Sequence, residues 1–590
     1  MKKRIILTFI LFNSFCVFTF AQKTWTGDTN NMWDNSGNWN SNTVPTSADN
    51  VIIPDCSSLA NIPEKSGSDM DCNNLTIEAG GKLTIYKKIL HVHGNLIIES
   101  PNNENPSGSL IEAGKNNDKI IVDGTVTIQR YYSVNGRYQY ISSPLKNVSG
   151  DLFTSASISG NFNPNFYSYN ESYNCIPNPS SSTPTGKYEQ WANTDLVNAW
   201  EEYHNGEGNP GKNLDVGQGY AFYNDADVTI NYTGSTDSVI NHGNINVPVT
   251  NTKNDENNGY YDGWNLIGNP YPSAYNFFEN RNPGNVDSTI YLWNGTNYVY
   301  YNYSDNTDDN SVSSYVVNGG DNTYKNIPAG QAFFVKAASS GGSFKFYQTK
   351  RTHSEQTLTK KNANHKIDFI KLKITDNDFS DETVIRFTKN ATVDYDGAFD
   401  AYKLFISDMS VPQIFSYTEN TLEPLAINTL PKSNTYYEIP LIIRIKDEGY
   451  HNIYLSDSYL QNYNAYLKDN RENEIIDLKQ IQSYNFFHEG GFADDRFTIL
   501  IQGIQTNIND KIYKTVKIYP NPASDFIFAE SNNNINNIEI FDINGKMILS
   551  KNSFSRTKEK INLSEIKQGI YIIKIYTTTN TVVKKLSINN

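Results

Sequence analysis

Cysteine is scarce: the chain has four in 590 residues, and Cys16 falls inside an apolar N-terminal run. The remaining Cys56, Cys72 and Cys175 are an odd number and permit at most one internal bridge. Cys56 with Cys72 is the plausible pair, closing a short loop worth about 3 kcal/mol in the chain-entropy picture. The lack of any CxxC…CxxC spacing argues against a cysteine-built zinc site. Cys175, in "YNCIPNP", lies in a Pro- and Asn-rich loop with no histidine near it in sequence, and reads as an inert thiol.

Positive charge is also in short supply, with 49 Lys and Arg against 63 Asp and Glu, for a net charge of −14. A nucleic-acid binder needs a basic face to displace counterions from phosphate, and a peripheral protein of anionic lipid needs one too. Neither class fits. Sustained helical periodicity is missing, as are GxSxG, HExxH and GxxxxGK[ST]. His353-Ser354-Glu355 has the HxE spacing of zinc deaminases, but no PCxxC follows it. Beyond the N-terminal segment no apolar run is long enough to span a membrane, so the mature chain is expected to have no transmembrane span.

The N-terminus supplies what a signal peptide needs. Lys2, Lys3 and Arg4 precede the apolar run Ile5 to Phe20, and Thr19-Phe20-Ala21 is a small-residue cleavage site. Residues 1–21 are expected to be removed on export. Aromatics reach 13%, including 40 Tyr and 29 Phe, and large rings can build cores where aliphatic side chains are few.

After Trp25, Trp33 and Trp39 come short apolar triplets: Leu75-Thr76-Ile77, Leu83-Thr84-Ile85, Leu90-His91-Val92, Leu96-Ile97-Ile98, Ile120-Ile121-Val122 and Val126-Thr127-Ile128. Short strands at close spacing with glycine corners predict a β-solenoid over 22–129, with the middle residue of each triplet outward. Residues 130–349 then repeat themselves. "YQYISSPLKN" (Tyr138 to Asn147) is echoed by "WNLIGNPYPS" (Trp264 to Ser273), "FYSYNESYN" (Phe166 to Asn174) by "IYLWNGTNYV" (Ile290 to Val299), and "VGQGYAFY" (Val216 to Tyr223) by "PAGQAFFV" (Pro328 to Val335). Three matches in one order predict a duplicated all-β module, 130–250 and 251–349. The polar stretch 350–366 reads as a linker, and the alternating runs of 367–505 as an antiparallel sandwich. The fold class is therefore all-β.

Residues 512–590 hold about seven short apolar runs, with Asn544-Gly545 as a hairpin signal and Pro520 and Pro522 suited to an edge or entry turn. These features alone predict a small immunoglobulin-like sandwich. The tail also resembles the type A C-terminal sorting domain of the Bacteroidetes type IX secretion system. The resemblance rests on Tyr519-Pro520-Asn521-Pro522, on "IFDINGKMI" with Gly545, on "NLSEIKQGIYIIKI" with Gly569 and Tyr571, and on Lys584-Lys585. It implies that the tail is a sorting signal read by the type IX machinery, and that the passenger is released or attached to surface lipopolysaccharide. The region before it resembles modules of large flavobacterial surface proteins, through "GWNLIGNPYPS", "IPAGQAFFVK", "DYDGAFDAYKLF" and "FADDRFTILI".

Candidates for chemistry are sparse. His91 and His93 stand at the i, i+2 spacing of a strand and could place two imidazoles on one metal, but no third ligand lies beside them in sequence. Asp376, Asp378 and Asp381 in "TDNDFSDE" are the best acidic candidates for Ca²⁺, the one cofactor the sequence suggests. Trp264, Trp293, Tyr298 and Tyr300 could offer flat rings to sugars. The expected function is an exported surface or secreted protein of adhesin-like or glycan-contacting type, with extracellular polysaccharide as partner. The alternatives are a secreted polysaccharide lyase or glycoside hydrolase, whose carboxylate pair cannot be chosen from sequence, and a structural stalk without ligand.

Overall fold

The computed structural model describes residues 21–100, 107–113, 119–132, 137–153, 166–173, 199–203, 212–224, 227–252, 262–277, 280, 284–293, 298–303, 315–318, 326–353, 368–376, 379–389, 391–405, 410–418, 423–432, 436–503, 516–542, 545–578 and 581–589. These residues are strands and turns with a few short 3₁₀ turns, and they fall into two compact units, Met1–Ile504 and Gln505–Asn590. No helix among them is long and apolar enough to cross a membrane.

Every apolar triplet of the N-terminal region is a strand or part of one. Asp49–Ile53, Leu75–Ile77, Leu96–Ile98 and Thr125–Tyr132 run parallel, with Val51, Leu75, Leu96 and Val126 in one register row. Met70–Cys72, Ile89–Val92 and Lys119–Val122 form a second parallel ladder, and Lys82–Ile85 with Ser109–Glu112 a third. Leu75 and Ile77 are buried while Thr76 between them faces outward, the period-2 alternation of a strand with one face on the core. Trp25, Trp33 and Trp39 extend this interior. Trp39 meets both other indoles edge-on, at 5.2 and 4.8 Å between ring centres, and donates its Nε1–H to the Trp33 carbonyl at 2.8 Å.

The expected disulfide does not form: Cys56 and Cys72 are both free and buried. Cys72 points inward from a ladder strand into the apolar core, whereas the Cys56 thiol, just beyond the strand Asp49–Ile53, lies near the carbonyls of Pro54 and Lys82. Burial raises the pKa of both thiols. Cys175 lies outside the described residues.

The internal repeat is visible as strand order. The first copy builds a sheet in the order Arg137–Ser142, Gly219–Asn224, Phe166–Tyr169, Trp200–Glu202. The second builds Trp264–Gly268, Ala332–Ala337, Val286–Trp293, Tyr298–Tyr303, and adds Tyr315–Asn318. The first three strands of each order come from the matched sequence segments, whereas Trp200–Glu202 lies outside them. The copies also touch reciprocally: Ser142 N–H donates to the Gly330 carbonyl and Gly268 N–H to the Gly217 carbonyl, each at 2.8 Å. Ile141 bridges Gln331 as Ile267 bridges Gln218. The pairing thus has an approximate two-fold relation. Gly217 and Gly330 hold matching left-handed conformations, φ +75° and +70°, which a Cβ would strain.

Residues 368–503 form one eleven-stranded sheet. Ser483–His488 ends the sheet on one side, while Gly491–Gly503 lies toward the other, yet Phe486 and Phe497 meet at 4.9 Å between ring centres. The sheet therefore curls around a shared core that includes Ile370, Ile453, Leu467 and Ile499. The expected 350–366 linker lies outside the described residues from 354 on.

The C-terminal unit is a five-stranded antiparallel sheet around Ile527, Ile538, Ile540, Ile561, Ile573, Ile575 and Leu586. Its strands are longer than the short runs expected from sequence. Phe526–Phe541 and Met547–Asn562 each join two of those runs through register shifts, and Ile535, buried inside the Asn-rich stretch, keeps the first of them on the core.

Candidate functional site

Asn521, Gly569, Tyr571, Lys584 and Lys585 lie on or beside the last strand of the C-terminal unit, whereas Gly545 lies in the turn between its two long strands. Asn521 clamps the last strand, Thr581–Ile588: its Nδ2 donates to the Lys585 carbonyl at 2.8 Å, and its Oδ1 accepts from Ser587 N–H at 2.9 Å. Ala523 N–H bonds the Ser587 carbonyl and Asn589 N–H bonds the Ala523 carbonyl, each at 2.8 Å, so the segment after Tyr519-Pro520-Asn521-Pro522 runs beside the chain end. Both X–Pro bonds here are cis. With no N–H to give, Pro520 and Pro522 suit this entry to an edge. Tyr519 donates to the Glu530 carboxylate, and the Lys558 ammonium lies over its ring. Gly545 takes φ +80° in the turn between the two long strands; its neighbour Asn544 lies outside the described residues. Gly569 opens the strand Gly569–Thr577, and Tyr571, buried in that strand, donates to the Lys567 carbonyl at 2.7 Å. Lys584 is half-buried and Lys585 exposed on the final strand. The motif therefore joins the first and last strands of one small sheet and leaves a charged edge in solvent.

The aromatic candidates lie elsewhere than expected. Trp264 is 0% exposed, and Tyr298 and Tyr300 are buried in the same core as Phe334 and Phe415. Trp293 is half-buried and donates its Nε1–H to the Tyr138 carbonyl at 2.8 Å. Both faces of the second-copy sheet are covered, so alternation there gives no outward ring. Desolvation raises the pKa of Tyr298 and Tyr300 well above the ordinary tyrosine value.

The two described acidic candidates, Asp376 and Asp381, have different partners. Asp381 is buried as the ion-pair partner of Lys403, itself buried and lowered in pKa by desolvation, and it accepts from Ile414 N–H at 2.7 Å. Asp376 lies 3.9 Å from His451, and Asp378 is outside the described residues. The Asp381 carboxylate is already spent on a core contact, which corrects the three-residue Ca²⁺ cluster. Asp400, pushed up to about 7 by burial, accepts from the backbone of Asp396 and Thr429, each at 2.7 Å. Arg386, lowered to about 10 by burial, bonds Thr429 and Asn302. Through Asn302, Arg386 ties the second copy to the eleven-stranded sheet.

Sequence reading missed an exposed stripe on the last two strands at one end of that sheet. Tyr450 pairs with Phe487, Asn452 with Asn485 and Tyr454 with Ser483, all on the outward face of Gly449–Tyr459 and Ser483–His488. Tyr450 is 74% and Phe487 36% exposed, their rings edge-on at 5.4 Å. Asn485 Nδ2 donates to Asn452 Oδ1 at 3.3 Å. The signal was the alternation in "GYHNIYLS", where Tyr450, Asn452 and Tyr454 alternate with inward His451 and Ile453.

Residues 24–501 match the family described as "Domain of unknown function (DUF8693)". The chain belongs to that family. Residues 517–589 of this DUF8693 protein match the secretion system C-terminal sorting domain, the stretch in which Tyr519, Asn521 and the last strand are tied together. The tail makes the protein a cargo of the type IX secretion machinery, destined for the cell surface or the extracellular space. No curated protein matches the chain. Among solved structures, dimeric latent PorU from Porphyromonas gingivalis aligns at 10% identity and a TM-score of 0.12. The alignment covers 42% of this chain and 31% of that one, and informs neither fold nor function.

Proposed function

We propose that this cargo works outside the cell as an adhesin-like, glycan-contacting protein. The outward stripe carries the reading: Tyr450 and Phe487 present apolar ring surface, and Asn452 and Asn485 beside them offer both donors and acceptors to hydroxyl groups. An extracellular polysaccharide, or the sugars of surface lipopolysaccharide, presents that combination of C–H faces and hydroxyls. Residues 1–21 act as the signal peptide that crosses the inner membrane, 512–590 as the sorting signal, and 22–129, 130–349 and 367–505 as the successive parts of the passenger.

The test incubates the exported chain with a broad polysaccharide panel and records bound protein and released sugar ends from the same wells. Binding without release, weakened at least tenfold in Tyr450→Ala, is the expected result. Release of sugar ends would overturn the reading in favour of a polysaccharide-cleaving enzyme, and no binding would leave a structural stalk. The export route has a separate check. A chain lacking Ile512 to Asn590 should be retained in the periplasm, and its normal display at the surface would refute the sorting role.

A further inference from the structure

The second parallel ladder carries a feature that the secretion reading does not use. In Met70–Cys72, Ile89–Val92 and Lys119–Val122, the side chains of Cys72, Val92 and Val122 turn inward and are buried. Strand alternation then sends Asp71, His91, His93 and Asp123 to the opposite, solvent-facing side. Asp71 and His91 are direct register partners, and Asp123 follows the next strand at the level of His93.

The four side chains meet there. His93 Nε2 lies 3.0 Å from Asp71 Oδ1, and His91 Nε2 lies 2.8 Å from Asp123 Oδ2. Asp123 Oδ2 is also 3.5 Å from His93 Nδ1, and the two imidazoles lie with ring centres 3.8 Å apart and planes tilted by 32°. One ligand atom each from Asp71, His91 and His93 can be chosen with all three within 4.8 Å of one another. Two hydrogen-bonded His–Asp pairs on an open face would explain each contact singly. They do not explain why both histidines and both carboxylates fall on one side of three consecutive strands.

We propose that Asp71, His91 and His93 bind one divalent transition-metal ion of the Zn²⁺ class on this face, with Asp123 as fourth ligand or as the carboxylate that orients an imidazole. The donor set decides the class of metal. Imidazole nitrogen with carboxylate oxygen suits Zn²⁺, Cu²⁺ or Ni²⁺, whereas Ca²⁺ and Mg²⁺ take oxygen ligands. A carboxylate against a ring nitrogen is also the contact that fixes tautomer and orientation around such ions. All four side chains keep a third to a half of their surface exposed, so the rings are free to turn toward an ion without disturbing the core.

The full exported chain, stripped with chelator, would be titrated with Zn²⁺ and separately with Cu²⁺ by calorimetry, with bound metal counted after gel filtration. One ion per chain is expected, with affinity falling roughly tenfold to a hundredfold in His91→Ala or His93→Ala and less in Asp123→Asn. Saturating metal should raise the melting temperature of the wild type and leave that of the double variant His91→Ala/His93→Ala unchanged. Uptake of neither metal would overturn the proposal. So would equal uptake by the wild type and the double variant, which places the ion elsewhere. Matching circular dichroism spectra of wild type and variants separate loss of the site from loss of the fold.

Discussion

In the first copy of the repeat, Tyr220 and Phe222 turn into the interior shared with the parallel ladders, beside Ile128, Ile230 and Tyr232. In the second copy the equivalent Phe333 and Val335 turn instead toward Val247, Phe344 and Phe346. The opposite faces come together: Tyr140, Tyr169 and Ala221 of the first copy share one core with Trp264, Leu266 and Phe334 of the second. One strand template thus serves two settings: Ile141 and Ile267 are the same on the two outer faces, whereas on the shared face Leu266 stands for Tyr140 and Phe334 for Ala221. Attachment to the ladders differs as well. Within the first copy, Val228–Ser235 hydrogen-bonds along the whole of Thr125–Tyr132. The region after the second copy reaches the ladders through side chains: Arg351 donates to the Glu112 carbonyl, and His353 lies between Thr84 and Ser109.

The comparison is broken most directly at Trp264 and its counterpart Tyr138. Trp264 is wholly buried, with Tyr291 edge-on at 4.7 Å and the Lys336 ammonium over its ring, whereas Tyr138 is half-buried. Trp264→Ala should cost about 3–5 kcal/mol and Tyr138→Ala about 1 kcal/mol in equilibrium denaturation. Equal costs would mean that the two positions are interchangeable after all.

A smaller effect probes the shared face. The Tyr140 and Tyr298 hydroxyls meet at 2.7 Å in the core between the copies. Tyr140→Phe leaves the Tyr298 hydroxyl buried without that partner, at a cost of roughly 1–3 kcal/mol. Adding Tyr298→Phe removes the stranded group, so the double variant should be more stable than the sum of the two single changes. Strict additivity in the cycle would show that the hydroxyls do not depend on each other.

How much of this was legible in the sequence follows from what a short window can contain. The ladder triplets were readable because each puts Leu, Ile or Val inward on both sides of one outward residue, as in Leu75-Thr76-Ile77. The repeat was readable because three strands of each copy lie in its matched segments. Trp264, Tyr298 and Tyr300 were misread because a sheet covered on both faces buries its aromatics whichever way they point. Loop length suggested Cys56 with Cys72, but it carries no information on direction, and Cys72 faces the core. Asp71 and Asp123 stand 22 and 30 residues from His93 and reach it only through ladder register, which no local spacing encodes. In the tail, buried Ile535 lies in the Asn-rich stretch that separates two of the short apolar runs, within the single strand Phe526–Phe541.

The smallest predicted effect bears on the side-chain attachment of the second copy. His353 Nε2 lies 2.8 Å from Thr84 Oγ1 and its Nδ1 2.9 Å from Ser109 Oγ. Burial, with Lys82 and Arg351 adding to it, lowers its pKa from the ordinary 6.5 to about 3. The unfolded chain therefore takes up a proton near pH 6.5 that the folded chain refuses. Stability from this group is present above that pH and drains away as pH falls toward 3. Between about pH 7 and pH 6 the loss is roughly 0.7 kcal/mol. Asp400 acts in the opposite sense, because an acid raised to about 7 destabilises the fold as pH rises from its ordinary value through that range. The raw pH slope thus mixes the two, and the quantity to measure is the difference in unfolding free energy between wild type and His353→Gln. That difference should shrink on going from pH 7 to pH 6, and a constant difference would mean that His353 keeps its ordinary pKa in the folded protein, exposed rather than clasped against the ladder.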